Sequence, residues 1–158
     1  MLQDVNSIFS GAYAADGTRT AQAITATAVS TNVIDLRQNA NLALKNEGVV
    51  GQNVYLNVDV IQAFNTLTSL TITLETDSTS NLATSPTTHL TFSELLAALT
   101  AGAKVVQVAL PVLPNYERYM GVRFTVVGSN PTLGSVMAYL SLDPQTNTGY
   151  PSGFTLDV

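Results

Sequence analysis

The 158-residue chain has no cysteine, no tryptophan, a single histidine and few charges. The missing cysteine excludes disulfides, thiolate metal sites and a thiol nucleophile. The lone His89 excludes a histidine-pair metal centre. No G-x-S-x-G elbow accompanies His89, so a Ser/His/Asp hydrolase has no support. Charged residues make up 11%, with six Lys and Arg spread singly and a net charge of −5. Nucleic-acid binding needs clustered cations, so it is not expected. No apolar run approaches the roughly 18 residues of a membrane helix. No Gly-rich phosphate loop is present. Residues 1–20 lack the basic start and apolar stretch of an export signal, with Asp4 where a cation would stand. Synthesis in the cytosol is therefore expected.

Hydroxyl and amide side chains fill the space left by charge: 21 Thr, 12 Ser and 12 Asn. Apolar residues reach 46%, too many for a disordered chain. The apolar pattern has period two. Val54, Leu56, Val58 and Val60 alternate with Asn53, Tyr55, Asn57 and Asp59. Leu70, Ile72 and Leu74 repeat the pattern, as do Val106, Val108 and Leu110. Met120, Val122, Phe124 and Val126 follow, then Val136, Ala138, Leu140 and Leu142. Alternate Cβ atoms point to opposite faces of a strand, so each segment predicts one dry and one wet face. Residues 21–30 and 32–36 predict one bent strand or two, and 87–92 a short one. About eight short strands with turn-rich separators predict an antiparallel sandwich or barrel. One short helix is expected over 92–99, with Thr91 and Glu94 at capping-box spacing.

The chain divides into an N-terminal arm (1–20), a β-sandwich domain (21–143) and a C-terminal tail (144–158). Leu2, Val5, Ile8, Phe9 and Tyr13 punctuate the arm, and Tyr150, Pro151 and Phe154 the tail. Neither segment can build its own core. They are candidate contact residues that dock on a neighbour; the alternative is that they fold back on their own sandwich. Ile61, Val105, Met137 and Tyr139 fall on wet faces and point to a partner.

No residues with catalytic spacing emerge. Asp59 and Glu75 are expected on wet faces, pairing with Arg123 across strands. His89 is expected on a wet face with Thr87 and Thr91, and Asp77-Ser-Thr in a hairpin turn. Tyr55, Tyr119 and Tyr139 suit an outward face that binds protein. No catalytic group, metal or cofactor is expected.

The ordered phrases AQAITATAVSTNVIDL (21–36), VYLNVDVIQAF (54–64), SLTITLETDST (69–79), SPTTHL (85–90), AGAKVVQVALP (101–111), RYMGVRFTVVG (118–128) and YPSGF (150–154) resemble jelly-roll capsid cement, or decoration, proteins of tailed bacteriophages. The family pattern joins an FS near its start almost directly to an AQ-like strand. Here residues 11–20 intervene between Phe9-Ser10 and Ala21. The resemblance implies an antiparallel jelly-roll-like β-sandwich on the capsid exterior, bound to the major capsid protein, usually as a homotrimer. It implies no enzymatic activity. A glycan-binding or tail-associated virion β-sandwich is the alternative.

Overall fold

The computed structural model describes residues 5–14, 18–36, 54–111 and 116–142. Its elements are a 3-10 turn at Val5–Ser7, then β1 (Ile8–Ser10), β2 (Ala12–Tyr13), β3 (Arg19–Thr20), β4 (Gln22–Ala23), β5 (Ala28–Val29) and β6 (Ile34–Asp35). The longer strands follow: β7 (Tyr55–Gln62), β8 (Leu67–Asp77), β9 (Thr87–Leu95), β10 (Lys104–Ala109), β11 (Tyr119–Gly128) and β12 (Ser135–Ser141).

Two antiparallel sheets pack face to face. The first runs β1-β12-β7-β10, with β4 beside β1 on the same edge of β12. The second runs β5-β11-β8-β9, with β6 continuing β5 along β11. From β7 onward the chain crosses between sheets at every connection except the β8–β9 return. This double-sheet order is that of a jelly roll.

Alternation placed the core correctly. Val58, Ile72 and Phe124 are fully buried between the sheets. Val108 and Leu140 are half-buried against the same cluster. The dry face of β12 ends there, because Leu142 is 65% exposed.

Three local expectations fail. Residues 92–95 are strand, because Phe92 pairs with Ile72 and Leu95 with Ser69. The helical turn shrinks to a 3-10 turn at Leu96–Ala98, and no side chain caps it. Residues 21–36 divide between the sheets, β4 on β12 and β5–β6 on β11. At the break between β5 and β6, Ser30 Oγ accepts from Val122 N–H at 3.1 Å. The hydroxyl replaces a ladder carbonyl where the backbone turns aside.

The arm boundary at residue 20 also fails. Ile8 pairs with Tyr139 and Ser10 with Ala138, so residues 8–10 form an edge strand. Phe9 is fully buried in the main core. An aromatic ring between two sheets removes more apolar area from water than it would on a free arm. Leu2 and the tail residues Tyr150, Pro151 and Phe154 lie outside the described residues.

Candidate contact surfaces

The outer face of the first sheet is closed by the chain itself. Met137 and Tyr139 project from β12 and form a small buried cluster with Ile8, with Ile61 packed against it. The chain then turns at Gly11, which sits over Met137 with φ +91°. A Cβ there would lie 2.5 Å from the Thr20 carbonyl oxygen, so only glycine fits. Beyond it, β2 and β3 pair as a hairpin, Ala12 with Thr20 and Tyr13 with Arg19. Met137 and Tyr139 therefore owe their burial to residues 8–14 and 18–20. The partner expected from their apolar character is the N-terminal segment of the same chain.

Beneath that hairpin lies Asp59. Its Oδ2 accepts from the Tyr139 hydroxyl at 3.2 Å, and Arg19 approaches to 3.9 Å. Its Oδ1 is buried with no hydrogen-bond partner. Burial raises the Asp59 pKa, against the Tyr139 hydrogen bond, Arg19 and Lys104. The expected Asp59–Arg123 pair does not form, because the two residues lie in different sheets.

The second sheet's outer face is closed at one end only. Glu75, nearly buried, accepts from Arg123 Nε at 2.9 and 3.1 Å and from the Thr73 hydroxyl at 2.8 Å. The Glu75–Arg123 pair expected from the sequence is present. Arg123 also donates to the Leu82 carbonyl at 2.7 Å. Leu82, with φ +51° and full burial, packs over Gly121. A Cβ at Gly121 would lie 2.5 Å from Leu82 Cδ1.

Asp77 organises the loop that carries Leu82. Its carboxylate accepts from the backbone N–H groups of Thr79, Thr84 and Ser85 and from the Ser78 hydroxyl. Burial would raise its pKa, but these four donors outweigh burial and hold it at about 2. The predicted turn is thus a loop wrapped around one carboxylate.

His89 is half-buried rather than wet. Its ring lies 4.6 Å from Tyr116, and Nε2 is 2.7 Å from the Thr76 hydroxyl. The same hydroxyl accepts from Glu117 N–H at 3.2 Å, so it ties β8 to both His89 and the segment before β11. Burial lowers the His89 pKa, with Glu117 acting the other way. Tyr55 and Tyr119 are half-buried in different sheets, so the three tyrosines expected together do not share a face.

The other end of the second sheet stays open. Leu95 and Val127 flank Ser69 in one cross-strand row. They are 65% and 43% exposed. Leu133, in the β11–β12 connection, is 51% exposed. That connection is pinned at the same end, where Asn65 Oδ1 accepts from the N–H groups of Thr132 and Leu133. Alternation alone does not reveal this trio, since Leu95 reads as helical and Leu133 as a turn residue. Tyr13, on the hairpin, is the remaining candidate that stays exposed, at 38%.

Among the described residues, no group of three or more His, Cys, Asp or Glu is placed to hold a metal ion. The Bbp16 family model matches residues 18–140. The chain belongs to the Bbp16 family. The Bbp16 match opens at Thr18, beside β3, and closes at Leu140 in β12. It therefore spans both sheets but leaves β1 outside. No curated protein matches the chain.

Proposed function

We propose that this protein is a non-enzymatic virion component, a capsid cement or decoration protein. It binds the exterior of a major capsid protein shell and stabilises it, as a self-associated sandwich. The observation that carries this reading is the distribution of exposed apolar residues. The chain covers Met137 and Tyr139 on the first sheet, yet leaves Leu95, Val127 and Leu133 exposed at one end of the second. Scattered apolar residues are ordinary on a surface; a group at one end suits contact. The low charge lowers the desolvation cost of that contact. Tyr150, Pro151 and Phe154 supply a second contact in this proposal. Three copies, the number implied by the resemblance, is the working expectation for the assembly. The glycan-binding alternative needs a stacked tyrosine pair, and none occurs among the described residues.

Co-sedimentation with expanded shells of the cognate major capsid protein tests the proposal. Replacing Leu95, Val127 and Leu133 together by Asp should weaken binding at least tenfold while the melting temperature holds. Full occupancy by the triple variant in competition with the intact chain would remove this end as the contact. A glycan hit with no shell binding would replace the reading.

A further inference from the structure

The edge that runs along β12 is interrupted at one position. Ser10 lies opposite Ala138 and Gln22 opposite Val136, so Met137 is the single β12 residue between them. The chain leaves the edge at Gly11 and regains it at Gln22. The β2–β3 hairpin is therefore an excursion from an edge that β1 and β4 hold on either side. Among the described residues, β2 and β3 pair only with each other. Their residues Ala12, Tyr13, Arg19 and Thr20 are all exposed. An element with few buried contacts opens at low cost, and this one can open without breaking the β12 ladder.

What the hairpin closes over sets two effects against each other. Met137 is apolar and fully buried, so it favours closure. Asp59 is a carboxylate whose Oδ1 is buried without a partner, so its charge opposes closure. The groups that face Asp59 are the Tyr139 hydroxyl from β12, Arg19 from β3 and Lys104 opposite it on β10. Tyr13 of β2 acts on Tyr139 in turn. Arg19, half-exposed and 3.9 Å away, is too far to donate a hydrogen bond to the carboxylate. Asp59 is the one carboxylate of the set, and Tyr, Lys and Arg as classes titrate well above neutral pH. We infer that the β2–β3 hairpin is a hinged cover, shut most firmly while Asp59 is protonated and loosened when Asp59 is charged. Burial raises the Asp59 pKa in the closed form. Closure is therefore fully supported below the ordinary carboxylate value of 3.8, and that support is lost as pH rises through the raised value. The hinge is Gly11. Its φ of +91° and the 2.5 Å that would separate a Cβ from the Thr20 carbonyl belong to the closed form, where the two ends of the excursion meet. A side chain there works against closure alone. Opening uncovers Met137 and lets water reach Asp59 Oδ1. The cover is a property of the isolated chain and stands apart from the shell reading.

Methionine oxidation reads the cover directly. Met137 lies under the hairpin, and Met120 is fully buried in the main core, where only global unfolding exposes it. Dilute hydrogen peroxide followed by peptide mapping gives sulfoxide formation at each site in the full chain. N-acetylmethionine amide in the same tube supplies the chemical rate at each pH. Relative to that reference, Met137 should oxidise about tenfold faster at pH 8 than at pH 4, the change expected when two states differ tenfold in proton affinity. Met120 should stay protected at both. Asp59→Asn should keep Met137 slow at both pH values. Gly11→Ala should make Met137 fast at both, with Met120 still protected. One common rate for Met137 and Met120 in the intact chain overturns the inference, because global unfolding alone then exposes Met137. A pH dependence that persists in Asp59→Asn also overturns it, by placing the titrating group elsewhere, His89 included. Where Gly11→Ala exposes Met120 as well, the comparison of Asp59→Asn with the intact chain decides alone.

Discussion

The two outer faces differ in what seals them. The first sheet is covered by chain that precedes it: Ile8, Gly11 and the β2–β3 hairpin lie over Met137, Tyr139 and Asp59. The second is covered at one end by its own β8–β9 loop, through Leu82 on Gly121. Each cover has a buried aspartate, and the two are treated oppositely. Asp59 has one hydrogen bond and one bare oxygen, so burial dominates and its pKa rises. Asp77 has four donors, so its pKa falls to about 2 despite burial. A buried carboxylate stabilises or destabilises according to how fully its oxygens are satisfied, not according to its depth.

The largest test of this contrast removes the first cover. Phe9→Ala should cost about 3–5 kcal/mol, read by urea unfolding, because the ring belongs to the core. Deleting residues 1–20 should cost more and expose Met137 and Tyr139. An unchanged melting temperature after that deletion would restore the picture of a free arm. On the second sheet, Gly121→Ala should cost about 1–3 kcal/mol through the clash with Leu82. In the Leu82→Ala background the same change should cost less; equal costs would separate the loop from the sheet.

The aspartates give smaller effects with opposite signs. The Asp77 pKa is depressed from 3.8 to about 2, so its stabilisation is present above about pH 4. It is lost as pH falls from about 4 to about 2. Asp77→Asn should lower stability at pH 7 and flatten acid unfolding in that window. The folded Asp59 pKa is raised, so charging it opposes folding as pH rises above 3.8. Asp59→Asn should leave stability at pH 7 equal or higher, and Asn can still accept from Tyr139. A marked loss in Asp59→Asn would show that Arg19 contributes more than its 3.9 Å approach suggests.

Much of the sandwich is legible in the chain because strand alternation is a local property. Leu56, Val58 and Val60 announce their face without reference to anything distant. The Glu75–Arg123 pair was also readable, since complementary charges on wet faces are few. The covers were not. Ile8 and Phe9 sit among Gly and Ser with no periodicity to show which surface they meet, so an arm and an edge strand look alike. The helix expected at 92–99 failed for a related reason. Thr91 and Glu94 have capping spacing, but β8 offers a ladder to residues 87–95, and those cross-strand bonds outweigh a short local motif.

The all-β character, with a wet and a dry side to every long strand, is written in the chain itself, because side-chain direction follows from backbone geometry over a few residues. Tertiary structure alone decided which wet sides stay wet. Met137 and Leu95 are both apolar side chains on outward-facing positions, yet one is fully buried and the other is 65% exposed. The difference lies in whether a distant stretch of chain reaches them. Such contacts span more than a hundred residues between Ile8 and Met137, and no local pattern records them.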